Sequence, residues 1–224
     1  MNVMNLTVSN LNFKRIIHIC LICGVLVITN MNCFGQYRPK LFFREDWKEN
    51  PAATGVTQAH VANPDLILGV YGTGKDSIRK SHHDKPADDP YYIWSGYCVG
   101  GSWAVTLKHK DYFVDLSNYA KIRWRSEQSG LRNLYIILKL ANGTWLSGDQ
   151  CSGPSKDWKI DEFNLSDIKW YACDIKALHE ERLVANPDLT KVDEIGFTDL
   201  MVGGGSNACS RLDWIEVNGK PVKR

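Results

Sequence analysis

The sequence predicts an all-β protein, an antiparallel two-sheet β-sandwich, in a single domain behind a signal peptide. Three observations carry this. Short runs of β-branched and aromatic residues recur along the chain, bounded by Gly, Pro, Asn or Asp. Within them apolar and polar residues alternate with period two, as in Trp103, Val105 and Leu107 against Ala104, Thr106 and Lys108. A single segment, 175–183, reads as a helix, and its charges would suit a loop equally well.

Residues 1–35 stand apart from the fold. Lys14 and Arg15 form a basic region, IIHICLICGVLVI an apolar stretch, and Gly35 a small residue before Gln36. This is the layout of a secretory signal peptide. An uncleaved anchor is the alternative, but the apolar run is short against the roughly 20 residues that span a bilayer. The domain is therefore expected over 36–224, secreted or periplasmic, with no membrane contact after cleavage.

The strands follow in order. LFFRED (41–46) ends in two acids, and 66–72, 91–96 and 102–110 come next with turns between them. In 121–126, Ile122 and Trp124 alternate with Arg123 and Arg125. In 133–141, Leu134, Ile136, Leu138 and Leu140 take one face and Tyr135, Ile137 and Lys139 the other. Asn142-Gly143 makes a hairpin turn into 144–147. Segments 158–164 and 170–175 lead to a closing pair, 192–198 and 211–218, joined through Gly203, Gly204 and Gly205.

Charge excludes some partners. The leader holds two of the 27 Lys and Arg and none of the 25 Asp and Glu, so the mature chain is neutral. It has no electrostatic footprint for nucleic acid or an anionic membrane. All eight Trp and all nine Tyr lie in the mature part, an aromatic load that suits sugar-binding surfaces. Cys98, Cys151, Cys173 and Cys209 remain there, allowing three disulfide pairings or buried thiols. No C-x-x-C pair survives, which argues against zinc.

The runs VDLSNYAKIRWRSEQSG (114–130), 157–164 and VDEIGFTDLMVGGG…SRLDWIEVNGKPV resemble the jelly-roll domains of the galactose-binding-like superfamily. That group includes the complex I intermediate-associated family and carbohydrate-binding modules attached to polysaccharide-degrading enzymes. The resemblance covers 114–222, about half the chain. It implies the sandwich fold and a polysaccharide or oligosaccharide partner. It also implies a structural calcium tying the first strand to the last, with Glu45, Asp46 and Asp213 as candidate ligands. Asp213, set between Leu212 and Trp214, must be solvated, paired or metal-bound; Arg211 or Arg44 could neutralise it instead.

Two further groups are candidate sites. The polar loop 74–92 carries Lys80, His82, His83 and Asp84 and runs into Tyr92 and Trp94. Its length favours a role, whereas a solvated connection is the plainer reading. Arg123 and Arg125 project on one side of their strand. The hairpin following them is expected to set Tyr135 and Lys139 beside them, making a cationic groove for acidic glycans. A solvent-facing ladder of charge pairs is the alternative. Two functions follow. One is a secreted carbohydrate-binding protein. The other is a small polysaccharide-cleaving enzyme, a lyase or a glycoside hydrolase, in which His82, His83 or Tyr135 moves a proton.

Overall fold

The computed structural model describes residues 39–48, 53–81, 91–95, 100–201 and 207–224. Among these residues there are sixteen strands and three single turns of 3-10 helix, with no α-helix. The strands are β1 (Leu41–Glu45), β2 (Ala53–Thr54), β3 (Leu66–Tyr71), β4 (Arg79–Ser81), β5 (Tyr92–Trp94), β6 (Trp103–His109), β7 (Tyr112–Asp115) and β8 (Lys121–Gln128). They continue as β9 (Leu134–Leu140), β10 (Trp145–Ser152), β11 (Lys159–Asn164), β12 (Trp170–Asp174), β13 (His179–Val184), β14 (Val192–Asp199), β15 (Ser210–Asn218) and β16 (Lys220–Lys223).

The strands form two antiparallel sheets. The first has the order β11-β8-β15-β5-β4-β2, with β1 also paired to β15. The second has the order β13-β12-β10-β9-β14-β6-β3, with β7 also paired to β14 and β16 paired to β7. Consecutive strands β8 and β9 lie in different sheets, as do β14 and β15. These sheet-changing connections make the arrangement a jelly-roll sandwich rather than two meanders.

The inner faces supply the core. Ile122 and Trp124 of β8, Leu212, Ile215 and Val217 of β15, and Leu134, Ile136 and Leu138 of β9 all belong to one buried cluster. Trp103 meets Phe197 edge-on at 6.0 Å, and Trp124 meets Phe163 at 4.8 Å. The Trp124 indole N–H is buried and donates to Ser152 Oγ at 2.7 Å, which removes the cost of leaving that donor unpaired. Arg132 and Asp199 form a buried ion pair at 3.2 Å. Asp199 also accepts from the Met201 N–H and the Ser210 hydroxyl. This cluster therefore ties the β8–β9 crossing to the β14–β15 crossing.

The helix expected over 175–183 is absent. Residues 175–178 form a turn and His179–Val184 forms edge strand β13. A helix needs an apolar stripe at 3.6-residue spacing to bury, and HEERLV offers none. As an edge strand the segment pairs its backbone to β12, and its exposed charges discourage further pairing. The hairpin at Asn142-Gly143 forms, with Gly143 in the left-handed region at φ 89°.

Candidate functional site

The central strand of each sheet carries a bulge at an aspartate. In β15, Leu212 pairs Ser126 and Trp214 pairs Arg125, so Asp213 is the extra residue. In β14, Val192 pairs Leu140 and Glu194 pairs Lys139, so Asp193 is extra. A bulge sets two consecutive side chains on the same side of a sheet. Asp213 and Trp214 thus both face outward from the first sheet, and Asp193 and Glu194 from the second. The two outer faces are the candidate surfaces.

The outer face of the first sheet is a closed ladder of arginines, indoles and carboxylates. Arg125 binds Asp213 at 2.9 Å and stands 5.5 Å over the Trp158 ring. Arg123 reaches Glu216 at 3.2 Å and Glu162 at 3.5 Å. Arg44 bonds Asp46 and Glu216, each at 2.6 Å, and lies 4.4 Å over the Trp214 ring. Arg211 pairs with Glu127 at 2.6 Å. Burial pushes the Asp213 carboxyl up, opposed by the Arg125 charge and hydrogen bond. Tyr92 is buried 5.4 Å from Trp158, and Arg79 sits 5.6 Å over Trp94. On this face the guanidiniums of Arg44, Arg123, Arg125 and Arg211 are all already occupied by carboxylates.

The outer face of the second sheet is built around a buried carboxylate. Glu194 is 5% exposed and accepts from the Tyr71 phenol at 2.8 Å, the Thr106 hydroxyl at 2.6 Å and the Lys139 ammonium at 2.8 Å. Neighbouring Asp193 takes Lys108 at 3.3 Å and Arg224 at 2.5 Å. Tyr71 lies against Trp145, edge to face, at 5.0 Å, and Lys139 stands 5.4 Å from the same indole. Burial, and then the Glu194 hydrogen bond, hold the Tyr71 phenol well above its usual range. It is therefore a fixed donor at neutral pH. Gly69 lets this happen: a Cβ there would strike the Tyr71 ring and the Thr106 hydroxyl.

A second small cluster covers part of this face. Leu178 is buried against Ala104 and Ile137, and its φ of 51° is a left-handed conformation that a leucine adopts only at a cost. Its N–H donates to the Asp174 carbonyl at 2.6 Å, closing the 174–178 turn. Between this turn and the corner at 70–75 an open groove of about 280 Å³ remains, lined by Tyr71, Thr73, Lys75, Ile175 and Lys176 among others.

The sequence-predicted groove does not form as expected. Arg123 and Arg125 belong to the first sheet, while Tyr135 and Lys139 belong to the second, because β8 crosses to β9 between sheets. Arg123, Arg125, Tyr92 and Trp94 do share one face, and Lys139 instead joins Glu194 and Trp145. The Tyr135 phenol is pushed up by burial, then by the Cys151 thiol it hydrogen-bonds. Lys80 lies in β4, a strand of the first sheet, and its side chain is outside the described residues, as are His82, His83 and Asp84. Cys151, Cys173 and Cys209 are free thiols; Cys98 is outside the described residues.

The three acids read as calcium ligands do not present one donor set. Glu45 is buried and accepts backbone N–H bonds from Trp47, Ala62 and Asn63 at 2.7–2.9 Å. Asp46 is held by Arg44, and Asp213 by Arg125. Among the described residues no group of three or more His, Cys, Asp or Glu stands ready for a metal.

Tyr71, Trp145, Glu194 and the groove escaped the sequence reading. One signal for them was present: two adjacent acids in a strand, Asp193 and Glu194, cannot alternate faces without one entering the core. A bulge was the affordable solution.

No protein-family model matches the chain, and no curated protein matches it in sequence. Among solved structures, the family 11 carbohydrate-binding module of cellulosomal cellulase Lic26A-Cel5E of Clostridium thermocellum aligns with TM-score 0.44 and 14% identity, over 81% of this chain and 94% of that one. A family 29 carbohydrate-binding module variant complexed with mannohexaose gives 0.43 and 13%, over 81% and 94%. The agarase AgWH50C gives 0.43 and 9%, over 76% of this chain and 25% of its own. At these scores the sandwich assignment rests on the strand pairing above.

Proposed function

We propose that this chain binds a polysaccharide on the outer face of its second sheet, around Tyr71 and Trp145. The observation that carries the reading is the edge-to-face aromatic pair locked to the buried Glu194 beside an open groove. A sugar ring offers an apolar C–H face and a rim of hydroxyls. An indole with a polar edge serves the first, and a pre-organised network serves the second without paying again for ordering. In this reading the protein acts outside the cytoplasm, after export by the 1–35 leader, and acidic glycans are the finer expectation for its ligands.

Binding is the reading carried forward: Tyr71 and Tyr135 are both pushed toward the protonated phenol, and His82 and His83, the other candidate proton carriers, lie outside the described residues. The experiment is affinity electrophoresis against mixed-linked β-glucan, glucomannan and polygalacturonate. Retardation in at least one gel that Trp145→Ala abolishes, with melting temperature kept, is the expected result. Retardation unchanged in Trp145→Ala would remove the site from this face.

A further inference from the structure

The groove beside Tyr71 is edged by two lysines. Lys75 stands on one rim and Lys176 on the other, both exposed. Among the described residues neither ammonium has an ion-pair partner. The acid nearest in sequence to Lys176, Asp174, accepts a hydrogen bond from the Lys176 backbone N–H at 2.8 Å. By contrast Lys108, Lys139, Arg44, Arg123, Arg125 and Arg211 are all matched with carboxylates. A groove edged by two cations that make no ion pair among the described residues, although Asp76 and Asp174 lie near them in sequence, favours a ligand that brings negative charge.

The groove is also built rather than incidental. Its near wall turns at Gly72, φ 88°, where a Cβ would meet Leu178 and the Ser102 carbonyl. The Gly74 N–H donates to that same carbonyl at 2.8 Å, and a Cβ on Gly101 would strike the Thr73 hydroxyl. The far wall, Ile175 and Lys176, is held by left-handed Leu178 plugged into the sheet. Backbone strain persists only where the surroundings over-determine it, and here it fixes the turn that carries Lys176. The volume, about 280 Å³, lies just under the ~300–1,000 Å³ of sites for drug-sized ligands and has room for one pyranose ring.

We propose that this groove receives the anionic group of an acidic sugar, a carboxylate or sulfate held between the Lys75 and Lys176 ammoniums. The same sugar lies against Tyr71. This rests on the polysaccharide-binding reading and gives that site its ligand class. It also moves the acidic-glycan site away from Arg123 and Arg125, whose guanidiniums are taken.

The test uses the full mature chain, its Lys75→Glu/Lys176→Glu variant and the Lys75→Arg/Lys176→Arg variant. Dissociation constants are measured for polygalacturonate, ι-carrageenan and neutral mixed-linked β-glucan at low and high salt. The charge reversal is expected to weaken binding of an acidic polymer at least about tenfold, a factor worth ~1.4 kcal/mol. The arginine variant should hold wild-type affinity within a few-fold, and salt should weaken the wild type toward the reversed variant. Preference for polygalacturonate identifies a carboxylate, and preference for carrageenan a sulfate. Equal affinity of the reversed variant and wild type for acidic polymers overturns the proposal, as does an equal loss on neutral glucan. Wild-type binding to neutral glucan alone keeps the polysaccharide function and sinks the anion site; binding to none of the polymers sinks both.

Discussion

The two central strands use nearly the same sentence: VDEIGF in β14 and LDWIEV in β15. Each has an apolar residue facing in, an aspartate as the bulge, a second outward residue, then an inward isoleucine. The deformation is the same and the outcome differs through one side chain. Trp214 in β15 draws Arg44 over its ring, with Arg123 5.9 Å away, and that face closes into paired charges. Glu194 in β14 draws Tyr71, Thr106 and Lys139 instead. An indole covered by guanidiniums is finished, whereas a carboxylate ringed by donors organises groups that can still face a ligand. A bulge supplies position, and the residue after it decides whether the surface is spent on stability or left for binding.

The sharpest way to break this comparison is Glu194→Ala. It leaves two hydroxyls without their acceptor and the Lys139 ammonium with only Asp193, 3.8 Å away, at a site where the carboxylate is nearly inaccessible, so a loss of about 3–5 kcal/mol is expected. Urea denaturation measures it. A loss under about 1 kcal/mol would show that water replaces the carboxylate freely. Trp214→Ala on the other face should cost somewhat less, about 3 kcal/mol, from a lost indole at 8% exposure. Its polysaccharide affinity should be unchanged, and a matching loss of affinity would place the ligand on the first sheet after all.

A pH titration of stability distinguishes the buried acids. Burial raises the carboxyls of Glu45, Asp199 and Asp213 above their unfolded values of 4.5, 3.8 and 3.8. Above those values the folded state binds more protons than the unfolded one. These groups therefore favour folding most at acid pH, and that contribution is lost as pH rises through the raised values. Asp199→Asn should flatten the slope; a slope unchanged in that variant, and in Glu45→Gln, would locate it elsewhere. The smallest effect belongs to Arg123→Ala, which leaves Glu216 with Arg44 and Glu162 with Lys121. Its partly exposed ion pairs are worth roughly 0.2–1 kcal/mol each, so melting should shift little and retention on polygalacturonate not at all. Lost retention there would restore the arginine face as the binding surface.

How far the sequence could be read depended on range. The alternation in 121–126 and 133–141 identified the buried faces of β8 and β9 correctly, because side-chain direction in a strand is a local property. The hairpin at Asn142-Gly143 was legible for the same reason. The segment 175–183 misled because helix and charged edge strand share a composition, and the edge is defined by a neighbour, β12, rather than by the segment.

The sequence alone therefore determined the class of the fold, most of the longer strands and which residues of β8 and β9 meet the core, since period and turn chemistry act over a few residues. Its composition also determined that residues 36–224 carry no net charge and hold all eight Trp and all nine Tyr. Tertiary structure alone decided which faces are shared. Nothing in the 126–134 stretch states that the chain changes sheet there, yet that step put Arg125 and Tyr135 on opposite outer faces. Tyr71 and Glu194, 123 positions apart, meet only because β6 lies between their strands and Thr106 joins them across it. Sites of this kind depend on strand order, and strand order is set by the burial of both sheets at once.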